Sequence, residues 1–93
     1  MSEYVRFEFE LSADPLVAEV QVNQTLTEES EERYADYAAG DEGSPLAQLI
    51  FNAVEGVAAL TITPAVLRIE REATTEWETL LADLRAALRD FFL

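Results

Sequence analysis

Nearly all the side chains here that could carry chemistry are carboxylates. Glu28, Glu29, Glu31, Glu32, Asp41 and Glu42 crowd one stretch of the sequence. Oxygen donors of this kind suit a hard cation such as calcium or magnesium, and paired carboxylates can perform acid and base steps in hydrolysis. The spacing argues against both uses, because adjacent glutamates lack the D-x-D-x-D-G alternation that wraps a calcium ion. There is no Cys and no His anywhere in the chain, which removes the usual thiolate nucleophile, the usual general base and the soft metal ligands. Ser44 has no G-x-S-x-G around it and no imidazole to activate it, so its expected role is a helix cap. Gly40, Gly43 and Gly56 are scattered and form no phosphate cradle. These residues therefore predict no catalytic group, no cofactor and no metal. The alternative reading is a carboxylate-dependent hard-metal binder or small hydrolytic enzyme, which a saturable metal titration would reveal.

Recognition of a protein partner is the chemistry left, and it rests on aromatic and aliphatic side chains at the margins of apolar stripes. Phe51, Phe92 and Leu93 hold such positions and are candidates for a small exposed patch. Tyr34 and Tyr37 follow the acidic run and are candidate contacts as well, expected to tack its second half onto the body. Trp77 lies at the centre of its stripe and reads as core.

The elements that must position these residues are legible from periodicity. Tyr4 to Leu11 alternates Val5, Phe7, Phe9 and Leu11 with Arg6, Glu8 and Glu10, the period-two pattern of a strand with one buried face. Ser12-Ala13-Asp14-Pro15 is a turn, and Ala18, Val20 and Val22 make the antiparallel partner strand. Residues 25–43 are expected to be an irregular acidic loop, with a short edge strand over Arg33 to Tyr37. Ser44 caps a helix with Pro45 at its first position, Leu46, Leu49, Ile50, Ala53 and Val54 form its inward stripe, and Gly56 ends it. Val57 to Ile62 and Val66 to Arg71 make a second hairpin across Thr63-Pro64-Ala65. A closing helix opens on a Thr75/Glu78 capping box and buries Trp77, Leu80, Leu81, Leu84, Leu88 and Phe91. The expected fold is α+β: a two-layer sandwich of order β-β-α-β-β-α, with a four-stranded, largely antiparallel sheet and both helices on one face. Arg6, Glu8, Glu10, Glu19, Gln21, Arg68 and Glu70 should line the uncovered face, leaving it polar and compatible with a monomer.

Length and charge set the outer bounds. With 93 residues, 49% of them hydrophobic, the chain is sized for a single domain and too apolar for intrinsic disorder. The 19 acidic residues oppose 6 basic ones, all Arg, for a net charge of −13. Such a field repels nucleic-acid phosphates and anionic lipid headgroups, so neither is an expected partner. An acidic surface without Lys also fits a high-salt cytoplasm, where the Debye length falls to about 3 Å and self-repulsion is screened. That reading expects a higher melting temperature in molar KCl than in dilute buffer. The N-terminus has no basic region followed by an apolar one, so a cytoplasmic location is expected.

The run S-P-L-A-x-x-I-F, then E-G-V, a strand pair and a closing helix opened by T-E-W-E, resembles the N-terminal domain of the Nfu/NifU-like iron–sulfur cluster scaffold proteins. The resemblance falls on Ser44, Pro45, Leu46, Ala47, Leu49, Phe51, Glu55, Gly56, Val57 and Trp77, and the approach Y-A-A-G-D-E-G is also similar. Two departures stand out. Family members commonly have a T-P-N-P-type turn after the first strand, where this chain has Ser12-Ala13-Asp14-Pro15-Leu16. The Cys-x-x-Cys that holds a cluster in such scaffolds belongs to a separate C-terminal domain and does not occur here. The resemblance thus implies a stand-alone accessory domain over residues 1–93 that is no cluster ligand itself. Its implied partner is a protein, either a member of the iron–sulfur assembly machinery or some other client.

Overall fold

The computed structural model describes residues 6–92. The alternating runs F-E-F-E-L and V-A-E-V-Q-V form β1 (Phe7–Leu11) and β2 (Val17–Val22), paired antiparallel from Phe7 opposite Val22 to Leu11 opposite Ala18. Tyr4 and Val5, expected in the first strand, lie outside the described residues. The turn between the two strands holds itself together. Ser12 Oγ accepts from the Asp14 amide at 3.1 Å, and Asp14 Oδ1 accepts from the Leu16 amide at 2.9 Å, the local bonding by which Ser and Asp favour turns.

Residues 25–43 depart most from the expectation of an irregular loop. Leu26 and Thr27 are buried, and the Leu26 amide donates to the Pro64 carbonyl at 2.9 Å. A strand follows, β3 (Glu32–Tyr34), rather than one over Arg33 to Tyr37, and then a short helix, α1 (Tyr37–Asp41). The strand stops where it does because Asp36 caps that helix, its side chain accepting from the Ala39 amide at 2.8 Å. An acidic, glycine-bearing run of this length shows too little periodicity to reveal one turn of helix.

The remaining elements keep their expected bounds closely: α2 (Pro45–Ala53), β4 (Val57–Ile62), β5 (Val66–Arg71) and α3 (Trp77–Phe92). Ser44 caps α2, its hydroxyl accepting from the Ala47 amide at 3.3 Å. Gly56 has φ 89°, and a Cβ there would collide with Thr75 in addition to adopting a disfavoured backbone. The first intrahelical bond of α3 runs from the Leu80 amide to the Glu76 carbonyl at 3.1 Å. The capping position is therefore taken by Glu76 and not, as the box predicted, by Thr75.

The strands form one antiparallel sheet in the order β1-β2-β5-β4-β3. The described residues thus contain five strands and three helices where four and two were expected, the additions being β3 and α1. Alternation places Val20, Val22, Leu60, Ile62, Leu67 and Ile69 on one face, and α2 and α3 pack on them through Leu46, Ile50, Leu80, Leu84 and Leu88. On the other face Arg6, Glu8, Glu10, Glu19, Gln21, Arg68 and Glu70 are all exposed, as the register argument required.

Candidate functional site

The proposed contact residues separate on inspection of the packing. Phe51 is core, only 7% exposed. Its exposure was expected because it lies off the centre of the α2 stripe, but α1 packs on that flank and turns the buried face of α2 toward Ala47 and Phe51, leaving Ala53 exposed. Phe92 is half-buried against the core, and Phe91, expected inside, is 43% exposed. The two rings meet edge-on at 5.1 Å. Helical spacing alone does not give this reversal, since Phe91 lies i+3 from Leu88 and i+4 from Ala87 on the buried stripe; it occurs at the last turn of α3. Leu93 lies outside the described residues.

Tyr34 and Tyr37 do gather at one corner, around the β3–α1–α2 junction. Tyr37 is 52% exposed, sits edge-on to Phe51 at 6.1 Å, and donates its hydroxyl to Asn52 Oδ1. Tyr34 is half-buried, donating its hydroxyl to Glu32 and accepting from the Ser44 amide at 3.2 Å. Both tyrosines thus tie the acidic segment to the body, and Tyr37 keeps a free ring edge at the surface.

Glu32 is the hub of this corner. Partial burial pushes its carboxyl up, and bonds from the hydroxyls of Thr27, Tyr34 and Ser44 together outweigh that, so its pKa lies below the ordinary 4.5. A depressed folded pKa means the unfolded chain binds the proton more readily, so this stabilisation is present above 4.5 and is lost as pH falls through the lower folded value. Protonation of the other carboxylates relieves self-repulsion over the same range, so a comparison isolates the group. Glu32→Gln is expected to flatten the fall in melting temperature between about pH 5 and 3 relative to the parent chain. Parallel profiles for the two proteins would show that the carboxylate is not bonded in this way.

The other carboxylates do not converge. Among the described residues no three Asp or Glu side chains are close enough to hold a metal ion. A shallow groove of about 690 Å³ crosses the open sheet face, floored by Ala59, Thr61 and Val66 and walled by Arg33 and Arg68. Arg33 pairs with Glu31 at 2.8 Å and Arg68 with Glu19 at 3.4 Å. No described helix is long and apolar enough to cross a membrane.

The surface missed by sequence reasoning is at the opposite edge of the sheet. Phe9 is 37% and Leu11 54% exposed on the face of β1 that alternation assigned to the interior. The strand lies at the sheet margin, where Trp77 of α3 reaches Phe9 with ring centroids 5.6 Å apart and donates its indole N–H to the Pro15 carbonyl at 2.9 Å. Period two reveals which residues share a face and carries no information on whether a helix covers it.

A five-stranded antiparallel sheet with its helices on one face, a polar opposite face and apolar side chains exposed along one margin is the build of a two-layer α+β domain. The chain belongs to the Nfu/NifU N-terminal family: residues 8–93 match the family described as "Scaffold protein Nfu/NifU N terminal", which relates it to iron–sulfur cluster assembly scaffolds. A NifU-like protein from Saccharomyces cerevisiae, solved by NMR, is similar with TM-score 0.76 and 17% identity, covering 97% of this chain and 82% of that one. The crystal structure of protein SAV1430 from Staphylococcus aureus is similar with TM-score 0.71 and 17% identity, covering 87% of this chain and 94% of that one. At that identity the two structures speak for the fold. The search among curated proteins gives no match.

Proposed function

We propose that this domain is a non-enzymatic accessory module of iron–sulfur cluster assembly, one that engages a protein partner and gives the cluster no ligand. The observation that carries this reading is a conjunction: a scaffold-family match over residues 8–93 in a chain with neither thiol nor imidazole. Protein-bound clusters are held by thiolates, with imidazole as the commoner substitute, so the contribution of these residues lies in contacts and not in ligation. The dispersed carboxylates and paired arginines favour recognition over chemistry. The polar open face and the charge of −13 favour a monomer that avoids nucleic acid and anionic membranes, and the same reading places it in the cytoplasm. Affinity capture from native lysate tests the reading and should recover iron–sulfur assembly proteins. Stoichiometric calcium or magnesium binding, or hydrolytic turnover, with no such protein captured would defeat it.

A further inference from the structure

The backbone of β1 is laid out so that one side of the strand is open. Bonds from the Asn23 amide to the Arg6 carbonyl and from the Ser12 amide to the Val17 carbonyl bracket the β1–β2 pair. Given that register, antiparallel alternation turns the amides and carbonyls of Glu8 and Glu10 toward β2 and those of Phe7, Phe9 and Leu11 outward. Among the described residues no strand pairs with that outer side.

The side chains give this edge two chemistries. On one face Phe9 and Leu11 are exposed apolar groups beside Trp77. On the other, Glu8 and Glu10 are exposed, and Glu10 sits directly opposite Glu19, a like-charge cross-strand pair of the kind that weakens a sheet. Arg68 reaches Glu19 from β5, on the far side of β2 from Glu10. A cation arriving along the outer edge would relieve that repulsion. A second copy of the chain could not do so, since pairing β1 with β1 sets Glu8 and Glu10 against their own counterparts between two molecules of charge −13.

We propose that the outer edge of β1 accepts an extended segment of a basic partner protein as an added strand, with Arg or Lys alternating with apolar residues. Its cations lie beside Glu8 and Glu10, its apolar side chains continue the ledge of Phe9 and Leu11, and its backbone bonds to the outward groups of Phe7, Phe9 and Leu11. The proposal rests on the partner-binding role proposed above and adds the surface and the partner's chemistry.

The test titrates the 93-residue chain with a capped synthetic peptide of about seven residues that alternates arginine with valine. The control peptide has the same composition with its arginines grouped at one end, so attraction to a polyanion is equal for both. The alternating peptide should bind at least about tenfold more tightly, with the Phe7, Phe9 and Leu11 amides shifting most and gaining exchange protection. Leu11→Pro deletes an outward amide and leaves the β2 ladder intact, as edge strands tolerate, and it should weaken binding about tenfold with little change in melting temperature. Glu10→Lys should weaken binding similarly while raising the melting temperature, because it converts the repulsion with Glu19 to attraction; a purely structural residue would not move the two readouts in opposite directions. Equal affinity for the two peptides or shifts centred elsewhere would overturn the proposal and leave the carboxylates as guards against edge-to-edge pairing, and self-association of the chain through β1 would overturn it as well. Assembly proteins captured equally by the parent chain and by Leu11→Pro would defeat the edge and keep the iron–sulfur role. Selective peptide binding with no assembly protein captured would do the reverse.

Discussion

Phe51→Ala is expected to destabilise the domain by about 3–5 kcal/mol. The ring is enclosed by the core cluster on one side and by α1 on the other, where Tyr37 meets it edge-on and Gly40 lies against it closely enough that a Cβ would overlap the ring. Removing it leaves a cavity under a helix of one turn, too short to hold its own shape and collapse into the space. Against a total stability of about 5–15 kcal/mol, a loss of that size leaves the variant marginal or unfolded at room temperature. Urea unfolding is the direct measurement, and an unchanged midpoint would return Phe51 to the surface as a contact residue. Gly40→Ala gives an independent check, because overpacking at that site should cost about 1–3 kcal/mol in the parent chain and much less once the ring is gone. That coupling is what a double-mutant cycle reads.

Phe51 also shows where sequence reasoning ends in this fold. Strand and helix bounds from Ser44 to Arg71 are legible because each depends on near neighbours: the serine cap, the proline after it, the glycine beyond, and two alternating runs. The exposure of Phe51, Phe91 and Phe92 depends instead on which element arrives from elsewhere. α1 covers Phe51, and its signal was a lone Asp36 cap inside an acidic run. The ledge of Phe9 and Leu11 was hidden for the same reason in reverse: F-E-F-E-L is the pattern of a buried face, and strand order, which no local rule supplies, puts it at the margin. The candidate site was therefore half legible, in the tyrosines that tie down the acidic segment, and the edge that looks best suited to a partner was not.

Arg71 carries the second large expected effect, and nothing in its sequence position announces it. It ends β5 with its side chain folded over the loop to α3, where Nη1 donates to the carbonyls of Glu72, Ala73 and Thr75 at 3.1, 3.2 and 2.8 Å. The guanidinium carbon lies 5.6 Å from the Trp77 ring centroid. Nε is buried without a partner among the described residues, so the Nη1 bonds and the stacking must outweigh its desolvation. The bonds to Glu72 and Ala73 are exposed and contribute little net, whereas the part-buried bond to Thr75 is charge-assisted. Arg71→Met, which keeps the apolar stem, is therefore expected to cost about 2–3 kcal/mol. Arg71→Lys should recover less than half of that, because a compact ammonium cannot span the loop carbonyls and stack on the indole together. The loop sets the start of α3 and with it Trp77, whose bond to Pro15 and contact with Phe9 fix the apolar ledge beside β1. Trp77 is the sole tryptophan, so its fluorescence in the folded variant reports that displacement separately from the urea midpoint. A midpoint within about 0.5 kcal/mol of the parent and an unshifted emission maximum would show that the loop holds α3 in place without this arginine.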